Sequence, residues 1–269
     1  MGGEEEENPV EKKPLVIVDP WSQLRQVTGA RIALGRAGGS LPTAPLLDFQ
    51  LAHARARDAV HLEFDVSGVR KQLRECGYAE LLVRSEAANR SVYLQRPNLG
   101  RRLDDRSRAV LTDYARASGD RFDAAFVIAD GLSPLAVHRH AVAVLHLASN
   151  ALTTAGWRLA PVVIAGQSRV ALGDEIGHLL GAEQVAILIG ERPGLSAADS
   201  LGIYLTYAPR PGRTDAERNC ISNIRPEGLG YEEAAQKLVR LMTRARRYRL
   251  TGVELKDDSD MLTLPPSEG

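Results

Sequence analysis

The residues of this chain that could do chemistry are few and scattered. Six histidines and two cysteines are present. His138 and His140 are two apart, so on a helix they point in different directions. With His53, His61, His146 and His178 they form no metal-ligand spacing, and Cys76 and Cys220 are far apart in the chain. There is no GxxxxGK[ST], no GxGxxG after a strand, no HExxH and no GxSxG. The sequence therefore offers no complete catalytic set and no metal set. What remains is three polar stretches, each following an apolar run: Asp130-Gly131-Leu132-Ser133, Gln167-Ser168-Arg169-Val170 and Gly190-Glu191-Arg192-Pro193-Gly194. Carboxylate, hydroxyl, amide and guanidinium groups in such places suit recognition of a ligand. Glu191 is the leading candidate. Asp130 and Ser133 read equally as helix caps. Arg192 reads equally as an ion-pair partner of Glu191 or Asp199, and Cys220 as a small buried hydrophobe.

The elements that must position these residues follow from the apolar pattern. Val185-Ala-Ile-Leu-Ile189 is an unbroken apolar run, as expected of a strand buried on both faces of a parallel sheet. Similar strands are expected at 124–128, 161–164 and 203–207. Helices are predicted over 134–154 and 173–180, closed by Gly156 and Gly181, and over 231–247. If the strands are adjacent and parallel, the three polar stretches share one rim, where open α/β sheets bind ligands. The alternation predicts an α/β fold: a Rossmann-like open, mainly parallel sheet with helices on both faces. Before it, Asp19-Pro20-Trp21 opens a first helix. Further helices are expected over 45–60, from Asp65 to Gly77, and over 105–117. Residues 81–83 and 91–94 read as short strands or extended pieces, and 219–224 as part of a polar loop. The predicted division is a disordered tail over 1–18, a mainly helical N-terminal domain over 19–105, the α/β domain over 106–256 and a tail over 257–269.

Composition bounds the function classes. Lys+Arg and Asp+Glu both number 34, so the net charge is zero, which argues against a general nucleic-acid or membrane-surface binder. Hydrophobic residues make up 44% of the chain, enough for an ordinary core. No apolar run approaches a membrane span, and two cysteines without CxxC spacing suit an intracellular protein with free thiols. On residue chemistry alone the readings are a ligand- or partner-binding α/β domain, a free-standing α/β nucleotide-binding enzyme, and a structural partner.

The chain resembles the small (light) subunit family of adenosylcobalamin-dependent ethanolamine ammonia-lyase. The resemblance rests on Thr28-Gly-Ala-Arg-Ile-Ala-Leu-Gly-Arg-Ala-Gly38, Leu46-Leu-Asp-Phe-Gln-Leu-Ala-His53, Tyr93-Leu-Gln-Arg-Pro-Asn-Leu-Gly-Arg-Arg102 and Asp130-Gly-Leu-Ser133. It continues with Gly173-Asp-Glu-Ile-Gly177, Gly190-Glu-Arg-Pro-Gly-Leu195 and Arg218-Asn-Cys-Ile-Ser-Asn-Ile224. The resemblance implies one subunit of a hetero-oligomeric lyase that is inactive alone and converts ethanolamine to acetaldehyde and ammonia by a radical mechanism. A large TIM-barrel subunit would carry the substrate site. The cofactor would be adenosylcobalamin, bound base-on and shared between the subunits; the DxHxxG motif that replaces its lower base is absent. Val170, Glu191 and Cys220 are the positions implied to contact it. No catalytic residue and no metal ligand is assigned to this chain. The implied location is the bacterial cytoplasm, with an ethanolamine-utilisation microcompartment as the family's alternative.

Overall fold

A computed structural model describes residues 14–256. The tail assigned to 257–269, and residues 1–13 of the first tail, lie outside the described residues. Contacts divide the chain into two compact units, with the boundary between Arg55 and Ala56.

In the first unit, Ile17 and Arg36 form an antiparallel bridge, so the expected tail is already paired at residue 17. The helix expected at Asp19 is a single 3-10 turn over Ser22–Gln26, and Asp19 accepts from the Trp21 N–H at 2.8 Å. The first α-helix, α1 (Thr43–His61), begins in this unit and runs through the boundary.

The second unit is an α/β body. Its strands are β1 (Glu80–Arg84), β2 (Phe122–Ala129), β3 (Val162–Gly166), β4 (Ala182–Gly190), β5 (Leu201–Tyr207) and β6 (Asn219–Ile224). They form one sheet in the order β1-β3-β2-β4-β5-β6. The pairings from β1 to β4 are parallel, while β4–β5 and β5–β6 are antiparallel. The sheet is therefore mixed, which corrects the expectation of a mainly parallel, Rossmann-like sheet. The cause is the β4–β5 connection: it contains no helix, and a chain that turns back without a crossover must pair antiparallel.

Two cores lie on the two sheet faces. Ala124, Phe126 and Ile128 of β2 belong to one, and Ala125, Val127 and Ala129 to the other, as strand alternation requires. The first core takes in α2 (Val66–Glu75), α6 (Val142–Thr154) and α8 (Tyr231–Tyr248). The second takes in α4 (Asp105–Ser118) and α7 (Leu172–Leu179).

Local chemistry sets the helix ends. Asp65 accepts from the Gly68 N–H at 2.9 Å and caps α2. Asp104 accepts from Ser107 N–H at 2.7 Å and caps α4, whose other end is closed by left-handed Gly119. The helix predicted over 134–154 is composite. It begins as α5 (Pro134–Ala136), passes through a π segment over Val137–Ala141, and continues as α6.

Three further expectations change. Residues 91–94 are helical, in α3 (Arg90–Gln95), because Asn89 accepts from the Val92 N–H at 3.0 Å and caps a turn. Residues 219–224 are the edge strand β6. Its polar side chains are exposed while Ile221 and Ile224 are buried, so one solvated face made a strand look like a loop. Finally, β1 comes from the stretch assigned to the helical N-terminal part. It is hydrogen-bonded into the same sheet as β2–β6, so that sheet spans the division expected near residue 105.

Candidate functional site

The three polar stretches meet at one edge of the sheet. Register fixes this: Ala129 of β2 lies beside Ala165 of β3 and Ile189 of β4, so the chain leaves all three strands at the same level. Direct bonds then tie the loops together. Asp130 Oδ1 accepts from the Ser168 N–H at 3.0 Å, and the Leu132 N–H donates to the Gly190 carbonyl at 2.9 Å. This backbone approach requires glycine twice. Gly131 has φ +56, and a Cβ there would collide with the backbone of Gly190; a Cβ on Gly190 would collide with the carbonyls of Ser133 and Asp130.

A cavity of about 450 Å³ opens at this rim. Val170 and Glu191 both line it, together with Tyr93, Arg169, Arg192 and Tyr204. Cys220 is exposed on β6 directly opposite Tyr204, so it belongs beside the cavity and not to a buried core. Partial burial raises the Tyr204 hydroxyl pKa, and interaction with the Cys220 thiol adds to it. Although the residue is exposed at the surface, partial desolvation beside Tyr204 pushes the Cys220 thiol up, the Tyr204 hydrogen bond opposes this, and the Glu191 charge reinforces it. An elevated thiol pKa makes a neutral contact surface, not a nucleophile.

Glu191 is held from one side. Its Oε2 accepts from the Ser200 hydroxyl and from the Asn223 N–H at 3.2 Å. Its Oε1 lies against Gly202, where a Cβ would come within 2.9 Å, and has no hydrogen-bond partner among the described residues. Asp199 pairs with Arg139 at 2.6 Å, which leaves Arg192 exposed at the cavity mouth. Val170 is half-buried on the second core, and its carbonyl accepts from the Gly173 N–H at 3.0 Å.

Ser133 caps α5 through the Ala136 N–H (3.3 Å) and donates to the Ala198 carbonyl at 2.8 Å. Asp130 is fully buried and pairs with Arg90 at 3.3 Å; burial pushes its pKa up to about 6. Both residues brace the rim. Tyr93, also fully buried, donates its hydroxyl to the Ser168 carbonyl at 3.0 Å. The guanidiniums of Arg90 and Arg169 lie over its ring at 4.9 and 4.3 Å.

The start of β6 is anchored just ahead of Cys220. Arg218 binds Asp174 of α7 and, at 2.7 Å, Asp215. Asn219 accepts from the Gly252 N–H at 2.8 Å and donates to the Leu255 carbonyl at 2.9 Å. In α7, Glu175 accepts from Arg108 at 2.7 Å, and Gly173 and Gly177 let the helix lie close on β4. Tyr93, Arg169, Tyr204 and Ser200 were not singled out from the sequence. Tyr93 and Arg169 stood inside quoted motifs, whereas Ser200 and Tyr204 carried no local signal.

Two of the histidines are structural. His138 accepts from the Asp65 N–H at 2.9 Å, and His140 is bonded to the Tyr231 hydroxyl at 2.7 Å. Among the described residues no group of three or more His, Cys, Asp or Glu could hold a metal ion, and no helix is long and apolar enough to cross a membrane.

The fold and rim define an α/β protein with a polar cavity at the carboxyl edge of its parallel strands and no acid–base constellation in it. The family model for the ethanolamine ammonia-lyase light chain (EutC) matches residues 18–256, and the chain belongs to that family. It is 56% identical over 259 residues to the ethanolamine ammonia-lyase small subunit of Pseudomonas fluorescens, covering 96% of this chain and 94% of that one. It is 57% identical over 246 residues to the small subunits of Pseudomonas syringae pv. tomato and Azotobacter vinelandii, covering 91% of this chain and 86% and 91% of theirs. As a small subunit it has a large-subunit partner, and membership in a lyase family sets aside the free-standing nucleotide enzyme.

Proposed function

We propose that this chain, within a two-subunit ethanolamine ammonia-lyase, holds the edge of adenosylcobalamin through Val170, Glu191 and Cys220. The large subunit, a TIM barrel, carries ethanolamine. The complex breaks the substrate's C–N bond to give acetaldehyde and ammonia, and the isolated chain has no turnover. When bound, the cofactor supplies the radical that starts the reaction. This chain's part is to bind, orient and exclude water.

One observation carries the reading: Glu191 lines the same cavity as Val170, and its Oε1 has no hydrogen-bond partner among the described residues. The corrin edge bears primary amides, and a carboxylate accepts from amide NH₂ groups in charge-assisted bonds. Val170 and the neutral Cys220 offer small apolar and weakly polar contact beside it. Base-on binding asks no cobalt ligand of the protein, so the role of these residues is contact and not ligation. The two free cysteines suit a reducing compartment, the bacterial cytoplasm.

A spectroscopic titration of the reconstituted two-subunit complex with cobalamin tests the proposal. Glu191→Ala is expected to weaken binding by about tenfold or more. Unchanged affinity in an intact complex overturns the assignment of Glu191.

A further inference from the structure

The described part of the first unit leaves its apolar side chains outside. Of the twenty exposed large apolar side chains among the described residues, thirteen lie between 15 and 51, including Leu15, Val18, Trp21, Val27, Leu47 and Leu51. Across residues 14–55 only Pro42 and Ala52 are buried. A stretch of this length normally covers such residues, because each costs free energy in water. Together they expose on the order of 1,000 Å², comparable with the ~800 Å² buried on one side of a standard interface.

The start of α1 carries four exposed apolar side chains, Leu46, Leu47, Phe49 and Leu51, with Asp48 and Gln50 between them.

Family membership decides between occupants. Charge does not, since across residues 15–51 three arginines, Arg25, Arg31 and Arg36, stand against two acids, Asp19 and Asp48. The arm needs an apolar surface to lie on. As a small subunit, the chain has a larger partner to supply that surface.

We propose that residues 15–51 form a docking arm that lies on an apolar surface of the large subunit. The inference rests on family membership and not on the cofactor reading.

The test uses the two subunits without cofactor. Hydrogen exchange of the amides over 15–51 is compared between the isolated chain and the complex, and is expected to slow at least tenfold on association. A triple variant, Trp21→Asp, Leu47→Asp and Leu51→Asp, is expected to weaken association at least tenfold. Val110→Asp, at an exposed apolar position on α4, changes it less than twofold. A complex that forms with no new protection over 15–51 overturns the proposal. So does an isolated chain already protected there, as a monomer covering its own arm or as a dimer that the triple variant dissolves. Exchange in the unaltered chain decides the matter if the variant does not fold. Cobalamin affinity enters neither readout, so the two proposals fail separately.

Discussion

Glu191 and Ser200 are joined twice where the β4–β5 connection begins and ends. The Glu191 N–H donates to the Ser200 carbonyl at 2.9 Å, and the Ser200 hydroxyl donates to the Glu191 carboxylate. This locks the side chain that faces the cavity. Ser200→Ala is therefore expected to weaken cobalamin binding by a few-fold, less than Glu191→Ala, because the Asn223 N–H still holds the same oxygen. Equal losses for the two variants in a titration of the complex would make Ser200 a direct contact.

The Asp174–Arg218 pair is the buried electrostatic anchor of β6, with each side chain only 2% exposed. Burial pushes the Asp174 pKa up, although Arg218 opposes it. Removing one member strands the other in the core. Arg218→Ala is expected to destabilise the fold by about 3–5 kcal/mol. A denaturant midpoint that barely moves would show that water replaces the guanidinium.

Asp130 and the histidines His138 and His140 respond to acid in opposite senses. Asp130, raised to about 6 by burial, keeps a proton between about pH 4 and 6 that the unfolded chain releases. Its contribution to stability is full below about pH 4 and is lost as pH rises through about 6. Burial lowers the pKa values of His138 and His140. Their contribution is full above about 6.5 and is lost as pH falls below it. Carbon-detected NMR of the Asp130 carboxyl should give a midpoint near 6, and a midpoint near 4 would sink the account. His140→Phe should flatten the loss of stability between pH 6.5 and 5.

Gly190→Ala is expected to destabilise the protein by about 2–3 kcal/mol, because the new methyl meets the carbonyls of Ser133 and Asp130. A change at the rim should accompany it, visible as altered amide shifts at Leu132 and Ser168. Gly29→Ala, where nothing lies within 4 Å, is the control and should leave the thermal midpoint in place.

Much of the α/β body was legible because its strands are buried on both faces. The run at 185–189 and the helices that follow β2 and β3 could be read from periodicity and glycine stops. So could the shared rim, since parallel neighbours must end together. The direction of β5 was not legible: it depends on the connection lacking a helix, and Leu201–Tyr207 is apolar whichever way it runs. β6 was hidden by its solvated face, and α3 by a cap three residues ahead of its apolar positions. At the site, Glu191 stood out because a charge follows five apolar residues with only Gly190 between. Tyr204 reaches the same cavity through cross-strand register, and Ser200 meets Glu191 across the β4–β5 connection; neither pairing is marked in the local sequence. Arg218 and Asn219 were read as part of a motif around Cys220, but their anchoring bonds run to residues far along the chain.

The π segment over Val137–Ala141 acts as a phase shifter. A helix turns 100° with each residue, and one wide turn resets the angle between what comes before and after it. On one side of that turn Ser133 braces the rim. On the other, Leu145 and Leu152 face the sheet. A chain one residue shorter here could keep an unbroken α-helix and the same core, yet its rim end would point about a third of a turn away. The alignment of the cavity wall with the core is thus set by counting residues in this single turn.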